Sequence, residues 1–414
     1  MYLVPITVPI FLDGDTPLLA TDWRRALLLL RDSLEGRYGP LTVAAPFLPA
    51  EASDQPLEKV DATEDQIKLI PLFHRDLRTR RYWLGTHNRV RARLAECLSG
   101  TTVLHGTVED PLRPFCYSAL MLAAARGVPT ILVQDQDVSR SMRDLSKGKS
   151  LAARQWTEVQ ARLHERQTRN AARAAGLCLF KGKETIARYG HLANALLPIE
   201  DTSYLSTEVF PEQQVHDRLQ SLLSTNRQLR FGYCGRLVHL KGLDRSLRII
   251  ASSVEGGADL GLDIIGTGPE ESNLRQLSID LGLERRVRFL GSMPYGPALI
   301  AALGRCDALL FNPRMSETPR MFFDAYAAGL PLVADGIDYV LERRDAEGAT
   351  VVLPRQDDEG AVRILVELDR NRDRLRLLTE RALAARIYHA ADNWYRRRAE
   401  ATHALVNRMR SPAR

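Results

Sequence analysis

One loop combines the residue types that suit a diphosphate. The segment GRLVHLKG, from Gly235 to Gly242, follows an apolar run that predicts a strand and precedes a run that predicts a helix. Glycine lets the backbone of such a turn approach a ligand, and a helix N-terminus favours an anion. Arg236 and Lys241 add a bidentate cation and a point charge to this loop. A solvated basic turn is the alternative interpretation of this loop taken alone.

A second glycine loop follows the next predicted strand. Gly266 and Gly268 lie in the sequence IGTGPE directly after an apolar run, and Gly291 ends the strand predicted after that. Because open α/β sheets bind ligands beyond the carboxyl ends of their strands, we expect these loops to meet at one sheet edge. A tight turn with Pro269 as the first helical residue is the purely structural alternative for the second loop.

Two acidic residues follow the fourth strand of this half. Glu317 is expected just ahead of a helix, and Asp324, seven positions later, falls on the same side of that helix. We predict that Ser316 or Thr318 caps the helix, with Pro319 in its first turn. Acids at these places suit hydroxyl-rich groups such as a sugar and a ribose. Alternatively, Glu317 only favours the helix dipole and Asp324 lies on the surface.

The elements that must position these residues alternate between strand and helix, which predicts a parallel α/β architecture. An aperiodic stretch at Ile199–Pro211 interrupts the alternation, so we predict two domains, residues 1–205 and 206–391, and a final helix at 392–410. The predicted strands are Leu3–Phe11, Leu41–Ala45, Thr102–Leu104, Pro129–Val133, Gly176–Phe180 and Leu196–Pro198 in the first domain, and Leu229–Cys234, Leu260–Ile265, Arg288–Leu290, Ala308–Phe311, Pro331–Ala334 and Thr350–Leu353 in the second.

Composition excludes several classes of protein. Of 414 residues, 45% are hydrophobic and 26% charged, which excludes disordered and fibrous proteins. Apolar runs stay well short of the ~20 residues that span a membrane, and the N-terminal segment lacks the pattern of a signal peptide. The five cysteines are scattered, so we expect buried free thiols and neither a disulfide framework nor a zinc site. We therefore expect a soluble, cytoplasmic protein.

The basic residues favour an anionic partner but do not identify it. The formal charge is +6, which favours an anionic partner without choosing it. Arginines crowd the region Arg75–Arg93, where a peripheral contact at the inner face of the membrane and a solvated arginine-rich surface are equal alternatives. No nucleic-acid recognition module is present in the sequence, so nucleic acid is not an expected partner.

Taken together, four motifs resemble those of the retaining nucleotide-sugar glycosyltransferases of the GT-B fold, family 4 (glycosyl transferases group 1). The motifs are G-R-L-V-x-x-K-G, I-G-x-G-P, F-L-G and S-E-x-P followed by D-A-x-A-x-G-L-P, in this order between Gly235 and Pro331. The helical tail extends the resemblance to nearly all of residues 229–410. Each motif alone is weakly specific, whereas the four in register are strongly so.

The resemblance implies two facing Rossmann-like domains, an acceptor-side N-terminal domain and a donor-binding C-terminal domain, with the final helix crossing back to the N-terminal domain. It implies that Arg236 and Lys241 hold the donor diphosphate in place of a metal, and that Glu317 contacts the donor sugar. Asp324 would take the place of the family's second glutamate; the two acids enclose six residues here and not seven, in an E-T-P-R variant of the motif. The donor-binding residues implied are Gly235, Arg236, Lys241, Gly266, Gly268, Thr318, Pro319, Arg320 and Asp324.

The first half resembles the family only in its architecture. A single glycine, Gly14, stands in LDGDT where members carry a glycine-rich loop after strand one, and we assign it to donor binding on that basis. His105 ends a predicted strand on the cleft side and is a candidate catalytic residue, with a capped or packed histidine as the alternative. Asp135 and Asp137 form a D-x-D that suggests the metal motif of the other glycosyltransferase fold, but the second α/β domain argues against that fold.

The sequence therefore predicts transfer of a sugar from a UDP- or GDP-linked donor to a hydroxyl of a glycan, lipid-linked or small-molecule acceptor. Retention at the anomeric carbon and independence of metals and other cofactors follow from the resemblance. Two alternatives stay open: a nucleotide-sugar epimerase or phosphorylase on the same fold, and a catalytically inactive partner subunit.

Overall fold

The strands gather into two sheets, each belonging to one of two units. The computed structural model describes residues 1–224 and 227–410. One unit comprises Met1–Asp201 with the chain from Trp394 onward, and the other comprises Thr202–Asn393. Among the described residues, no helix is long and apolar enough to cross a membrane.

Sixteen strands are present in the described chain. In order they are β1 (Tyr2–Pro5), β2 (Ile10–Asp13), β3 (Thr16–Ala20), β4 (Leu41–Pro49), β5 (Leu57–Lys59), β6 (Ile67–His74), β7 (Val103–Thr107), β8 (Thr130–Gln134), β9 (Leu177–Phe180), β10 (Leu196–Pro198), β11 (Leu229–Cys234), β12 (Leu260–Ile265), β13 (Val287–Gly291), β14 (Ala308–Phe311), β15 (Leu332–Asp335) and β16 (Thr350–Leu353).

Helices connect most of these strands. They are α1 (Thr21–Ser33), α2 (Thr79–Arg81), α3 (His87–Leu98), α4 (Phe115–Ala125), α5 (Val138–Ser146), α6 (Leu151–Ala174), α7 (Lys183–Tyr189), α8 (Glu212–Ser224), α9 (Leu243–Glu255), α10 (Glu271–Asp280), α11 (Pro297–Leu303), α12 (Met321–Ala327), α13 (Asp338–Glu347), α14 (Asp358–Arg370), α15 (Asp373–Tyr388) and α16 (Ala391–Arg410). A π-helical turn, Tyr82–Thr86, joins α2 to α3.

The second unit has a six-stranded sheet in the order β13-β12-β11-β14-β15-β16, with every pair parallel. Its strands are short apolar runs, as expected for a parallel sheet covered on both faces. Parallel order places all the loops that follow these strands at one edge. The glycine loops and the 312–320 segment therefore lie at the same edge of the sheet.

The first unit has a ten-stranded mixed sheet, in which the parallel series β10-β9-β8-β7-β1-β4 continues into β2, β3 and β5. Pairs β2–β3 and β3–β5 are antiparallel, and β6 pairs in parallel with β4. Part of α16 belongs to this unit, where Leu405 and Val406 join one of its two hydrophobic clusters. All five cysteines are buried free thiols, as predicted.

The first strand differs from the prediction. Residues 3–11 do not form one strand: β1 pairs with the first part of β4, and β2 pairs with the last part, where Ile10 lies opposite Phe47. Pro9, directly before β2, has no N–H to donate to a ladder, so the strand is interrupted there. Strands β3, β5 and β6 were not predicted. They form by pairing with other strands: β3 pairs with β2 and β5, and β6 pairs with β4.

Candidate active site

The loops that follow β11 and β12 are in close backbone contact. The two strands stay in register to their last residues, so Gly235 and Gly266 leave the sheet side by side. Gly266 has φ +138°, and a Cβ on it would lie 2.0 Å from the Gly235 carbonyl oxygen. A Cβ on Gly268 would lie 2.4 Å from the Leu237 carbonyl oxygen. Contact between the two loops therefore requires glycine at both positions, a packing role beyond the ligand approach that the sequence suggested.

A third glycine joins this loop pair to the segment after β14. Gly242 has φ +66°, and a Cβ there would lie 1.9 Å from the Asn312 carbonyl oxygen. Nearby, the Arg314 N–H donates to the Leu240 carbonyl oxygen at 2.9 Å. The loops after β11, β12 and β14 thus form one assembly at the carboxyl edge of the sheet.

A buried polar network supports this assembly from behind. The Ser246 hydroxyl donates to Asn312 Oδ1 at 2.8 Å, and Asn312 Nδ2 donates to Asp335 Oδ1 at 3.0 Å. Arg245 forms an ion pair with Asp335. Burial raises the pKa of Asp335, although Arg245 opposes the rise. Because each buried polar group has a partner, the network holds α9, β14 and β15 in one arrangement.

Lys241 and Glu317 form an ion pair at this edge, and each side chain is about a quarter exposed, 24% and 23%. Lys241 Nζ also lies 5.7 Å from the centre of the Phe311 ring. Arg236 is exposed on the same loop, and its guanidinium has no hydrogen bond or ion pair with any residue that the structure describes. The structure therefore brings together two of the predicted site residues, Lys241 and Glu317, and leaves the guanidinium of Arg236 on the same loop available.

The residues after Glu317 enter the next helix without a side-chain cap. Thr318 is half-buried, Pro319 is buried, and Arg320 is exposed at the N-cap of α12, which begins at Met321. The prediction that Ser316 or Thr318 caps this helix is wrong. The residue before a proline is biased towards extended backbone, so Thr318 continues the loop and the helix begins after Pro319.

Asp324 lies inside the unit and not on its surface, with 7% of the residue exposed. The Tyr295 hydroxyl donates to Asp324 Oδ1 at 2.9 Å. Burial, followed by the charge of Asp324, raises the pKa of Cys234 at the end of β11. The surface interpretation of Asp324 is therefore wrong.

Sequence reasoning missed several residues that support the site. The sequence patterns indicated no role for Asn312, Asp335, Arg245 or Tyr295. The available signal was the position of Asn312 and Asp335, one directly after β14 and the other at the end of β15. Polar residues at the carboxyl ends of adjacent buried strands meet at one edge.

In the first unit, His105 lies half-buried in β7. Its Nδ1 is 2.8 Å from the Tyr2 hydroxyl. Burial and the nearby Arg398 lower the pKa of His105 to about 3. The imidazole is therefore neutral near pH 7, and burial raises the pKa of Tyr2, so the Tyr2 hydroxyl donates to the ring.

Three charged residues lie in a row beyond β7, β8 and β9. In the strand register, Thr107 pairs with Val133, and Gln134 pairs with Phe180. This register places Glu109, Asp135 and Lys181 at one level of the sheet edge.

The two carboxyl groups of this row have raised pKa values. Burial, followed by the charge of Asp135, raises the pKa of Glu109 to about 7, although a hydrogen bond from Thr107 and the charge of Arg75 oppose the rise. Burial and then Asp201 raise the pKa of Asp135, and Lys181 opposes. The sequence patterns indicated no role for Glu109.

One further residue considered in the sequence analysis has local structural partners. Asp137 caps α5, where it accepts from the Arg140 N–H at 3.2 Å, and it pairs with Arg188. Burial alone would raise the pKa of Asp137, but hydrogen bonds from Ser139 and Arg188 and the charge of Arg188 outweigh burial and lower the pKa.

Across the described residues, no group of three or more His, Cys, Asp or Glu side chains is placed to hold a metal ion.

Gly14 lies in the turn of the β2–β3 hairpin, with φ +58° and no heavy atom within 4 Å of a built Cβ. It does not occupy a loop between a strand and a helix. This corrects the local structure on which its assignment to donor binding rested, because the antiparallel pairing of β3 with β2 converts that loop into a hairpin.

Comparison with known proteins finds a family match within the second unit. Residues 217–382 match the model of the family "Glycosyl transferases group 1". The chain is 30% identical over 108 residues to the 2-deoxystreptamine glucosyltransferase of Streptomyces kanamyceticus, and 33% identical over 100 residues to the lipopolysaccharide core biosynthesis glycosyltransferase LpsD of Rhizobium meliloti. Each match spans 27% of the length of that relative.

Two solved structures resemble nearly the whole chain. Anabaena HepE, solved in complex with UDP, has a TM-score of 0.66 at 14% identity and covers 97% of this chain and 99% of its own. WaaG, a glycosyltransferase involved in lipopolysaccharide biosynthesis, has a TM-score of 0.63 with the same identity and coverage. These likenesses confirm the predicted α/β fold class. The chain therefore has the GT-B fold, and its residues 217–382 match the family model of the glycosyl transferases group 1.

Proposed function

We propose that this protein is a retaining glycosyltransferase of family 4 that moves a sugar from a nucleoside diphosphate to an acceptor hydroxyl, in the biosynthesis of a polysaccharide, glycolipid or other glycoconjugate. The observation that carries the proposal is the cluster of Arg236, Lys241 and Glu317 at one sheet edge, within the segment that matches the family. Retention of configuration at the anomeric carbon is proposed because the E-T-P-R segment resembles the motif of the retaining family.

The cluster suits the charge changes of glycosyl transfer. As the bond to the leaving diphosphate breaks, negative charge accumulates on the phosphates and the sugar becomes oxocarbenium-like. Arg236 has a guanidinium available for a bidentate contact, and Lys241 supplies a second cation held in place by Glu317. Preorganised cations stabilise the transition state more than the ground state. Glu317 would contact the sugar hydroxyls through its carboxylate.

The donor is proposed to be a UDP-linked sugar, with a GDP-linked sugar as the alternative. HepE was solved with UDP, with UDP and glucose, and with UDP-glucose. Gly235, Gly266 and Gly268 would line the donor site, and backbone amides around Thr318, Pro319 and Arg320 would meet the phosphates or the sugar. Asp324 would bind the ribose.

The first unit is proposed to serve the acceptor, as a domain of residues 1–205 with the helix at 392–410. Glu109, Asp135 and Lys181 offer carboxylates and an ammonium group at its sheet edge, which suit a hydroxylated glycan, lipid-linked or small-molecule acceptor. His105 is neutral and bonded to Tyr2, so its proposed role is to position a group and not to carry a charge.

The deciding experiment is a double variant, Arg236→Ala/Lys241→Ala. UDP and GDP binding would be measured by thermal shift, and transfer by release of nucleoside diphosphate with candidate acceptors in EDTA. We expect the double variant to lose nucleotide binding, because both cations assigned to the diphosphate are removed. Transfer should be lost as well, since loss of one such charged contact alone typically lowers turnover ~10²–10³-fold. Transfer by the wild type should continue in EDTA, because Arg236 and Lys241 take the place of a metal.

The matched control removes two exposed arginines from the same unit, Arg248→Ala/Arg285→Ala, and should leave nucleotide binding unchanged. Unchanged affinity in the Arg236→Ala/Lys241→Ala protein would refute the diphosphate assignment. Turnover of donor without acceptor would indicate an epimerase. Nucleotide binding without any transfer or hydrolysis would indicate an inactive subunit.

A further inference from the structure

One face of α6 exposes large apolar side chains to solvent. Trp156, Val159 and Leu163 are 55%, 55% and 37% exposed, and their spacing of three and four residues places them in one stripe. The opposite face of the helix is buried through residues such as His164 and Thr168. The apolar stripe therefore lies on the solvent side of α6 and is not part of its packed face.

Arginines run alongside this stripe. Arg162, Arg166, Arg169 and Arg173 are all exposed and also recur at spacings of three and four residues. Arg162 and Arg169 pair with glutamates of the same helix. Within the described residues, the guanidinium groups of Arg166 and Arg173 have no hydrogen bond or ion pair. We call the apolar stripe and this basic stripe together the α6 face.

A second exposed apolar pair lies in the same unit as the α6 face. Trp83 and Leu84, in the π-helical turn, are 50% and 76% exposed. Trp83 Nε1 donates to the Leu112 carbonyl oxygen at 2.9 Å, and Gln167 of α6 donates to the neighbouring Pro111 carbonyl oxygen at 3.1 Å. Trp83 and Gln167 thus donate to neighbouring carbonyl groups of one turn in the first unit.

We propose that the α6 face, with Trp83 and Leu84, docks the protein on an anionic lipid bilayer. A helix that lies in a membrane interface carries Trp, Leu and similar residues on one stripe and Lys or Arg on the next. Unpaired arginines beside the apolar stripe match the negative charge of such a surface, each contributing to attraction near anionic headgroups. The apolar residues stand on the outside of a helix and not in a groove, which suits a bilayer better than an inserted peptide.

Docking goes beyond the proposed transfer reaction and needs neither donor nor acceptor for its test. The full-length protein would be sedimented with vesicles of phosphatidylcholine alone and of phosphatidylcholine and phosphatidylglycerol in equal parts. We expect binding to the anionic vesicles, weakened by salt because the attraction is electrostatic. Arg166→Gln/Arg173→Gln should bind on the order of tenfold more weakly, and Val159→Ser/Leu163→Ser about tenfold more weakly.

Matched controls remove the same kinds of side chain elsewhere: Arg285→Gln/Arg374→Gln for charge, and Ile279→Ser/Leu377→Ser, whose targets are 53% and 50% exposed, for apolar area. The proposal would be overturned if the wild-type protein did not bind anionic vesicles, or if the control variants lost as much binding as the α6 variants. A lipid-free dimer that Val159→Ser/Leu163→Ser dissociates while vesicle binding is unchanged would also overturn it. Thermal shift with UDP on the same variants separates docking from donor binding.

Discussion

Glu317 and Asp324 differ in their surroundings although both are acids of the same segment. Glu317 is partly exposed and paired with Lys241 on the loop after β11. Asp324 is buried in α12, seven residues further along, and accepts a hydrogen bond from Tyr295. A partly exposed carboxylate at the sheet edge is suited to contact with the reacting sugar, whereas a buried one is suited to holding an unreactive part of the donor.

We therefore expect Glu317→Gln to lower kcat by ~10²–10³, because interactions that strengthen as charge develops act on turnover. Asp324→Asn should mainly raise the donor KM, about tenfold, because contacts that are equal in the ground and transition states act on KM. Steady-state kinetics with the donor varied would measure both. The exposed Glu380→Gln is the matched control and should behave as wild type.

The reverse pattern would show that the donor lies in the opposite orientation at this edge. Because Asp324 is buried, its variant should also be checked by circular dichroism. A folded Asp324→Asn protein with unchanged KM and low kcat would count against the ribose assignment.

At the scale of elements, the site depends on loops from three strands meeting closely. Gly242 makes the tightest of these contacts, against the Asn312 carbonyl oxygen. The buried network from Ser246 to Asp335 holds the two sides of that contact in place. A disturbance at Gly242 should therefore move Lys241 relative to Glu317 without any change in either residue.

We predict that Gly242→Ala destabilises the protein and weakens nucleotide binding. The matched control is Gly282→Ala, since Gly282 has the same φ of +66° but no heavy atom within 4 Å of a built Cβ. Left-handed backbone costs both variants ~1–2 kcal/mol, and the steric overlap adds ~1–3 kcal/mol at Gly242 alone. Denaturant unfolding and UDP thermal shift would measure the difference. Equal losses in the two variants would contradict the role given to the loop contact.

At the scale of the whole molecule, Glu109 makes folding depend on pH. Its pKa is raised from 4.5 to about 7 in the folded protein, so the folded state holds this proton more tightly than the unfolded state. The free energy of unfolding therefore falls as pH rises from 4.5 towards 7, by at most about 3 kcal/mol, and the loss is complete above 7. Asp135, Asp110 and Arg75 are the charged groups that act on Glu109.

Glu109→Gln removes this proton linkage. We expect the variant to be more stable than wild type on the alkaline side of 7 and nearly equal to it near 4.5. Unfolding of the full-length chain in denaturant across this pH range would measure the difference, with the exposed Glu51→Gln as control. A difference that is constant with pH would mean that the carboxyl does not titrate in this window.

Local sequence determined most of the second unit. Four of its strands, β11, β12, β14 and β16, have the bounds predicted from the sequence. Strands buried on both faces are continuous apolar runs, so their ends are visible in the chain itself. The first unit was less predictable: β5 and β6 exist through pairing with strands distant in sequence, β3 pairs with its hairpin neighbour β2 and with β5, and β6 even contains Pro71.

The chemistry of the site divides in the same way. The sequence by itself determined which residue types follow each strand, and because parallel strands end at one edge it also predicted that Arg236, Lys241 and Glu317 would gather there. Only the tertiary structure decided that Lys241 pairs with Glu317, 76 residues away, that Asp324 is buried against Tyr295, and that Gly14 lies in a hairpin turn. Ion pairs, burial and strand pairing depend on distances between segments that no local pattern records.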